Sequence, residues 1–240
     1  MVKRLERPNA NIELGYWAIR GLAQPIRFLL VHAGVPFSEV RLGINQDGSA
    51  VDDESLDWEI QKRTLAMPFP NLPYIIEKSN SGDIQLSQSN SIMRYLGRRF
   101  DYYGDTTSER TCIDLLQDEA YDFRSAIIDT VYTLGAEYQV VYDNFRSTIA
   151  PKYLDNFENY LSAREDYAHF VGAKLSLVDF ILYELIWQTS MMIEGSVTES
   201  CRPKLFAFID AFRQLPRIEE YMRHGDYIDR PVNSTWASFT

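Results

Sequence analysis

An α/β unit followed by an all-helical unit is the fold class that the sequence predicts, on three observations. Up to about residue 100, short apolar runs of strand character alternate with stretches of helical spacing. From Thr107 to Arg223 no convincing strand pattern appears, and the apolar spacing is helical. A polar stretch from Asp101 to Thr106 separates the two regimes.

The elements follow in order. NIELGYW reads as a strand, and GLAQPIRFLLVHAG as a helix with apolar residues at Leu22, Ile26, Leu29, Leu30 and Ala33. Pro25 falls in the first turn, where a missing N–H costs nothing, and Gly34 ends the helix. VPFSEVRL completes a strand–helix–strand unit expected to be parallel and right-handed. The acidic, turn-rich GINQDGSAVDDES reads as a mobile loop, and LDWEIQKR as a short helix. PYIIE and DIQLS form an antiparallel hairpin across KSNSG, and SNSIMRYLGRRF is a helix. This order of βαβ, helix, ββ, helix is roughly of the thioredoxin type.

In the second unit, TCIDLLQDEAYDFRSAIIDTVYTLGAEY reads as one long amphipathic helix, followed by a second in YQVVYDNFRSTIAPKYLDNFENYL. Further helices lie in AKLSLVDFILYELIWQTSMM, PKLFAFIDAFRQL and RIEEYMR. The tail is irregular, and its Trp236 is expected to pack back onto the protein. The chain therefore divides into an extension (1–11), an α/β domain (12–100), a linker (101–106), a helical domain (107–225) and a tail (226–240).

Acidic residues outnumber basic ones, 34 to 24, giving a net charge of −10. That argues against a nucleic-acid partner, whose phosphates need a basic face, but leaves room for a small anion held by a local cation. The two cysteines, Cys112 and Cys201, have no metal-ligand spacing and suit a reduced, cytoplasmic setting. No secretory signal core and no run of ~20 apolar residues appears, so a soluble protein with no membrane partner is expected. His32, His169 and His224 are scattered, and neither a triad nor a metal site is expected. No phosphate-loop motif is present.

Three constellations could carry chemistry. In FPNLPYII, Pro73 opens a strand, and X-Pro is the one bond that can be cis at small cost. A cis bond would turn the N–H and C=O of Leu72 outward to pair with an extended peptide, whereas a trans edge-strand proline would be purely structural. In QLSQSNSI, Ser89 can cap a helix whose first-turn amides bind a carboxylate, or it can be a plain cap. In KLSLVDF, Ser176 and Asp179 form a capping box, read as structural. The opening strand ends in Tyr16-Trp17, where a nucleotide-binding protein would keep glycines. Taken alone, Tyr16 suits a packing role.

Together LGYWAIRGLAQPIRFLL, FPNLPYII, LSQSNSI, PKYL and LSLVDF resemble the cytosolic glutathione S-transferases, the mu class in particular, in unbroken order from about Ile12 to Ser234. The resemblance implies a thioredoxin-like N-terminal domain that binds glutathione and an all-helical C-terminal domain. It also implies a cytoplasmic homodimer that conjugates the thiolate of reduced glutathione to hydrophobic electrophiles in detoxification. Glutathione would be the co-substrate, with no metal and no permanently bound cofactor. Non-catalytic storage of apolar ligands, or glutathione-dependent isomerisation, are alternatives on the same fold.

By this resemblance Tyr16 is the catalytic residue, its hydroxyl donating to the glutathione sulfur. Trp17, Leu22, Trp58, Lys62, Asn71, Leu72, Pro73, Gln88 and Ser89 line the glutathione pocket. Leu72 offers its backbone to the cysteinyl unit, Gln88 and Ser89 hold the γ-glutamyl end, and Trp58 and Lys62 face the glycine carboxylate. Asp122 reaches the γ-glutamyl ammonium of the neighbouring subunit's glutathione. Ile19, Tyr121, Ile128, Tyr132 and Ser234 line the hydrophobic-substrate pocket, and Phe69 is the key inserted into the partner subunit. The chain departs from the mu pattern in its N-terminal extension, a longer hairpin turn at EKSNSG, and a diverged acidic loop from Gly43 to Asp53. Ser55 also stands where the class usually has an arginine, leaving Lys62 to carry the glycine end.

Overall fold

Five strands form the sheet of the first unit: β1 (Lys3–Leu5), β2 (Ile12–Trp17), β3 (Phe37–Leu42), β4 (Tyr74–Glu77) and β5 (Ile84–Ser87), in spatial order β1-β3-β2-β4-β5. The structure is a computed structural model that describes residues 3–5, 11–43, 57–80, 82–164 and 168–240. The expected loop from residue 44 onward, with Ser55, lies outside the described residues. Packing divides the chain into two units, residues 1–96 with 221–235, and residues 97–220 with 236–240.

In the first unit β2 and β3 are parallel, joined through α1 (Gln24–Ala33), as the strand–helix–strand pattern requires. β2 pairs antiparallel with β4, and β4 with β5. β1 pairs antiparallel with the outer edge of β3, an element that the sequence reading had placed in the extension. Three residues, two of them charged, carry too little pattern to announce a strand. Gly34 ends α1 in the left-handed region (φ 69°), its N–H reaching the Val31 carbonyl at 2.9 Å. Gly15 is dictated by packing: a Cβ there would lie 2.0 Å from the Tyr74 ring, which crosses β2 at that point. Behind the sheet, buried Glu39 joins two arginines, accepting from Arg27 Nε at 2.7 Å and Arg41 Nε at 3.0 Å. Losing any one of the three would strand a buried charge.

α2 (Trp58–Gln61) starts on Asp57, whose side chain accepts the Ile60 N–H at 3.2 Å. α3 (Ser89–Arg99) begins where β5 ends.

The second unit is helical among its described residues, as expected. α4 (Thr107–Tyr132) opens on a reciprocal cap: Glu109 N–H donates to Thr106 Oγ1 at 3.1 Å and Thr106 N–H to Glu109 Oε2 at 2.9 Å. It stops earlier than the sequence reading expected. Thr133 turns extended, and Gly135 takes φ 70°, so GAEY lies outside the helix. α5 (Tyr138–Asn144) runs through one widened π turn, Phe145–Ile149, into α6 (Ala150–Ser162). The widened turn precedes Pro151, which has no N–H to give an α-helical ladder.

α7 (Leu177–Met192) is buried all round from Leu177 to Thr189, the signature of a central helix. α4 supplies Ile113, Leu116, Ala120, Phe123, Ile127 and Val131 to the same core. α8 (Pro203–Arg213) places Phe212 flat on Tyr183 at 4.0 Å between centroids; α9 (Pro216–Arg223) follows. The expected Ser176–Asp179 box is present. The fully buried Asp179 carboxylate accepts from Ser176 N–H and Oγ, each at 2.7 Å, and from Phe170 N–H at 2.9 Å. Trp236 does not pack as expected: it is 46% exposed, and the tail buries Ile228, Val232, Asn233 and Ala237 instead.

Candidate active site

Sheet topology gathers most of the expected residues of the first unit at one edge. Gly15 pairs with Tyr74 and Tyr74 with Ser87, so the C-terminal end of β2, the start of β4 and the end of β5 lie side by side. Tyr16-Trp17, Leu72-Pro73 and Gln88-Ser89 are the residues at those ends. Ser87 Oγ donates to the Phe69 carbonyl, which ties the Phe69–Leu72 approach to the same edge. Trp58 joins the group by stacking on Tyr74, rings 6.4 Å apart and 20° from parallel.

Tyr16 is buried, and its hydroxyl accepts the Leu22 N–H at 3.1 Å. The contact needs Gly21. Its φ is 41°, and a Cβ there would lie 2.6 Å from the Tyr16 hydroxyl oxygen. The amide occupies one lone pair of the phenol oxygen. Leu72-Pro73 is cis, the isomer that the sequence reading needed. The Leu72 N–H, however, is not left open: it donates to Asn71 Oδ1 at 2.9 Å.

Gln88 corrects the cap assignment. Its carbonyl accepts the Ile92 N–H at 2.9 Å, so Gln88 holds the capping position and Ser89 is the first helical residue. Gln88 has φ 71°, a conformation that costs a non-glycine residue about 1 kcal/mol or more and that clusters at ligand sites. Nothing in the letters Gln-Ser announces it.

Lys62 forms an ion pair with Glu59 one helical turn away, and both are solvated. Phe69 is 75% exposed, the most exposed large apolar side chain among the described residues. Ile19 and Ser234 are half-buried in the first unit.

The remaining expected residues lie on α4 in the second unit. Tyr121, Ile128 and Tyr132 are spaced seven and four residues apart and share one face of that helix. Tyr121 is exposed, with the Arg124 guanidinium 5.4 Å from its ring centroid, and Tyr132 is half-buried. Asp122 is exposed and turned about a quarter of the way round the helix from that face. Among the described residues no cluster of His, Cys, Asp or Glu could hold a metal, and no helix is long and apolar enough to cross a membrane.

A mixed sheet presenting a tyrosine, a cis-proline and a helix start at one edge, followed in sequence by a helical unit, defines a class of protein, and comparison with known proteins agrees. The family model for the glutathione S-transferase N-terminal domain matches residues 12–98, and that for the C-terminal domain matches residues 121–225. The chain is 34% identical to glutathione S-transferase 2 of Gallus gallus over 225 residues, 92% of this chain and 94% of that one. It is 32% identical to glutathione S-transferase Mu 1 of Oryctolagus cuniculus over 231 residues, 93% and 97% of the two chains. The solved pi-class glutathione S-transferase of Onchocerca volvulus superposes with a TM-score of 0.76 at 28% identity, covering 95% of this chain and 99% of that one. The chain belongs to the glutathione S-transferase family and is mu-like in sequence. The fold class and family read from the sequence both hold.

Proposed function

We propose that the chain conjugates the thiolate of reduced glutathione to hydrophobic electrophiles, acting as a cytoplasmic homodimer in detoxification. The observation that carries this reading is the single sheet edge bearing Tyr16, cis-Pro73 and Gln88-Ser89, in a member of this family. Glutathione is a thiol tripeptide with a carboxylate at each end. Tyr16 donates to the sulfur, and the Leu72 backbone, released from Asn71, pairs with the cysteinyl unit. Gln88, Ser89 and the first-turn amides of α3 take the γ-glutamyl carboxylate. Trp58 and Lys62 take the glycine end. Glutathione is a co-substrate, and the proposal involves no resident cofactor or metal.

A free thiol has a pKa near 8.5 and is only a few per cent ionised at pH 7, yet the thiolate is the attacking form. Lowering that pKa by ~2 units needs about 3 kcal/mol of selective stabilisation, within reach of a preorganised donor. Full ionisation then gains at most about 30-fold in thiolate, offset in part by lower nucleophilicity. The rest of the acceleration comes from holding thiolate and electrophile together. The α4 face that bears Tyr121, Ile128 and Tyr132 supplies apolar surface for the electrophile. The Tyr132 hydroxyl is the group able to stabilise negative charge developing on it.

Conjugation of a chlorinated nitroarene tests the reading. The rate should exceed the uncatalysed one and saturate with glutathione, and a preparation that binds glutathione without turnover would reject it. Two variants test the assembly. Phe69→Ser removes the exposed apolar key and should shift sedimentation toward monomer; a profile identical to wild type would remove that assignment. Asp122→Asn should weaken glutathione binding about two- to fivefold, the worth of one solvent-exposed ion pair. An unchanged dissociation constant would reject the shared site.

A further inference from the structure

We propose that Arg20 is a positioning residue for sulfur activation, acting through the chain segment Asp226–Val232 as a strap; the inference rests on Tyr16 being the thiol activator. The Tyr16 hydroxyl meets Leu22, which belongs to the tight turn Gly21–Ala23. That turn is tied to a distant part of the chain. Arg20 N–H donates to the Pro231 carbonyl at 3.0 Å, and Gly21 N–H to the Val232 carbonyl at 2.9 Å.

The Arg20 side chain, fully buried, returns to the same segment. Its Nη1 donates to the Ile228 carbonyl at 2.9 Å and to the Tyr227 hydroxyl. Its guanidinium lies 5.1 Å from the Tyr227 ring centroid and 5.9 Å from that of Phe28. The strap is anchored at its far end by Arg41, which donates to the Asp226 carbonyl.

Other ionisable groups packed here belong to the same network of contacts. Arg27 donates to the Ile19 and Arg20 carbonyls at 3.0 and 3.2 Å, and Glu39 bridges Arg27 and Arg41. Burial pushes the Tyr221 phenol, which stands edge-on to Phe28 and Tyr227, up to about 12.

The buried guanidinium holds the strap through Nη1 and lies against the Tyr227 and Phe28 rings, a planar packing that a lysine's compact ammonium does not reproduce. A shift of the turn would lengthen the Leu22 contact and let the phenol rotate away from the sulfur. Displacements near 1 Å at a reacting centre cost up to about a hundredfold.

The test is Arg20→Lys, with the thiol of bound glutathione titrated by thiolate absorbance and the pH profile of kcat/KM recorded beside it. The thiol pKa is expected to rise by about half to one unit, about three- to tenfold less thiolate below it, with KM for glutathione changed less than about twofold. Tyr227→Phe should move the titration the same way by less, and it decides the matter if Arg20→Lys does not fold. Tyr16→Phe, titrated in parallel, separates the two levels of the argument. If Tyr16→Phe shifts the thiol while the strap variants only lower the melting temperature, the role of Arg20 is overturned. If Tyr16→Phe shifts nothing, the underlying reading of Tyr16 fails with it.

Discussion

Replacing Tyr16 by Phe is expected to raise the pKa of the bound glutathione thiol by a unit or more and to lower turnover near neutral pH by about tenfold or more. The change is nearly isosteric, so the buried ring keeps its place against Gly21. What disappears is the hydroxyl, both as a donor to sulfur and as the acceptor for Leu22 N–H. The thiol then relies on backbone and solvent to stabilise its ionised form. The loss should shrink as pH rises, because above the thiol's own pKa water ionises it without help. A pH–rate profile that is displaced upward, with its alkaline limit largely recovered, is the expected signature. An unchanged thiolate titration would sink the activation role.

The second large effect is on stability. Asp179→Ala should lower the stability of the helical unit by about 3 kcal/mol or more, several degrees in the melting temperature. The carboxylate accepts three hydrogen bonds from Ser176 and Phe170 at the start of the central helix, and all three donors would be left buried and unpaired. Asp179→Asn keeps one acceptor oxygen and should recover part of the loss. Burial pushes the Asp179 carboxyl above its ordinary value, while the backbone N–H donors and the Ser176 hydroxyl pull the other way. With the folded value raised, the folded chain binds this proton more tightly than the unfolded chain. This group's contribution to stability therefore falls as pH rises from the usual carboxyl range through the raised value. A melting temperature for Asp179→Ala within a degree of wild type would show that the box is ornamental.

The two regimes of the fold were legible because their periodicities differ. Ile12, Leu14 and Tyr16 alternate into the core, whereas Ile113, Leu116, Ala120, Phe123 and Ile127 recur at helical spacing. Stops were less legible. The end of α4 was misread because Thr133-Leu134 continues an apolar pattern, although Gly135 offered the stop signal. β1 escaped because a three-residue edge strand owes its existence to the edge of β3, not to its own letters. At the candidate site, residue types pointed to Pro73 and the Gln88-Ser89 start, whereas Tyr16 took its role only from the family resemblance. They could not give the left-handed Gln88 or the bond from Leu72 to Asn71, since both are settled by tertiary neighbours. The hold of the tail on Arg20 was equally hidden, because its partners lie more than 200 positions apart. A fully buried arginine is the signal that the structure adds.

The central claim is that this chain ionises the thiol of glutathione at its Tyr16 edge. The most direct measurement is a pH titration of thiolate absorbance for glutathione bound to the unmodified protein. The apparent pKa is expected to lie about 2 units below the free-thiol value near 8.5. A bound thiol that titrates where the free thiol does would contradict it.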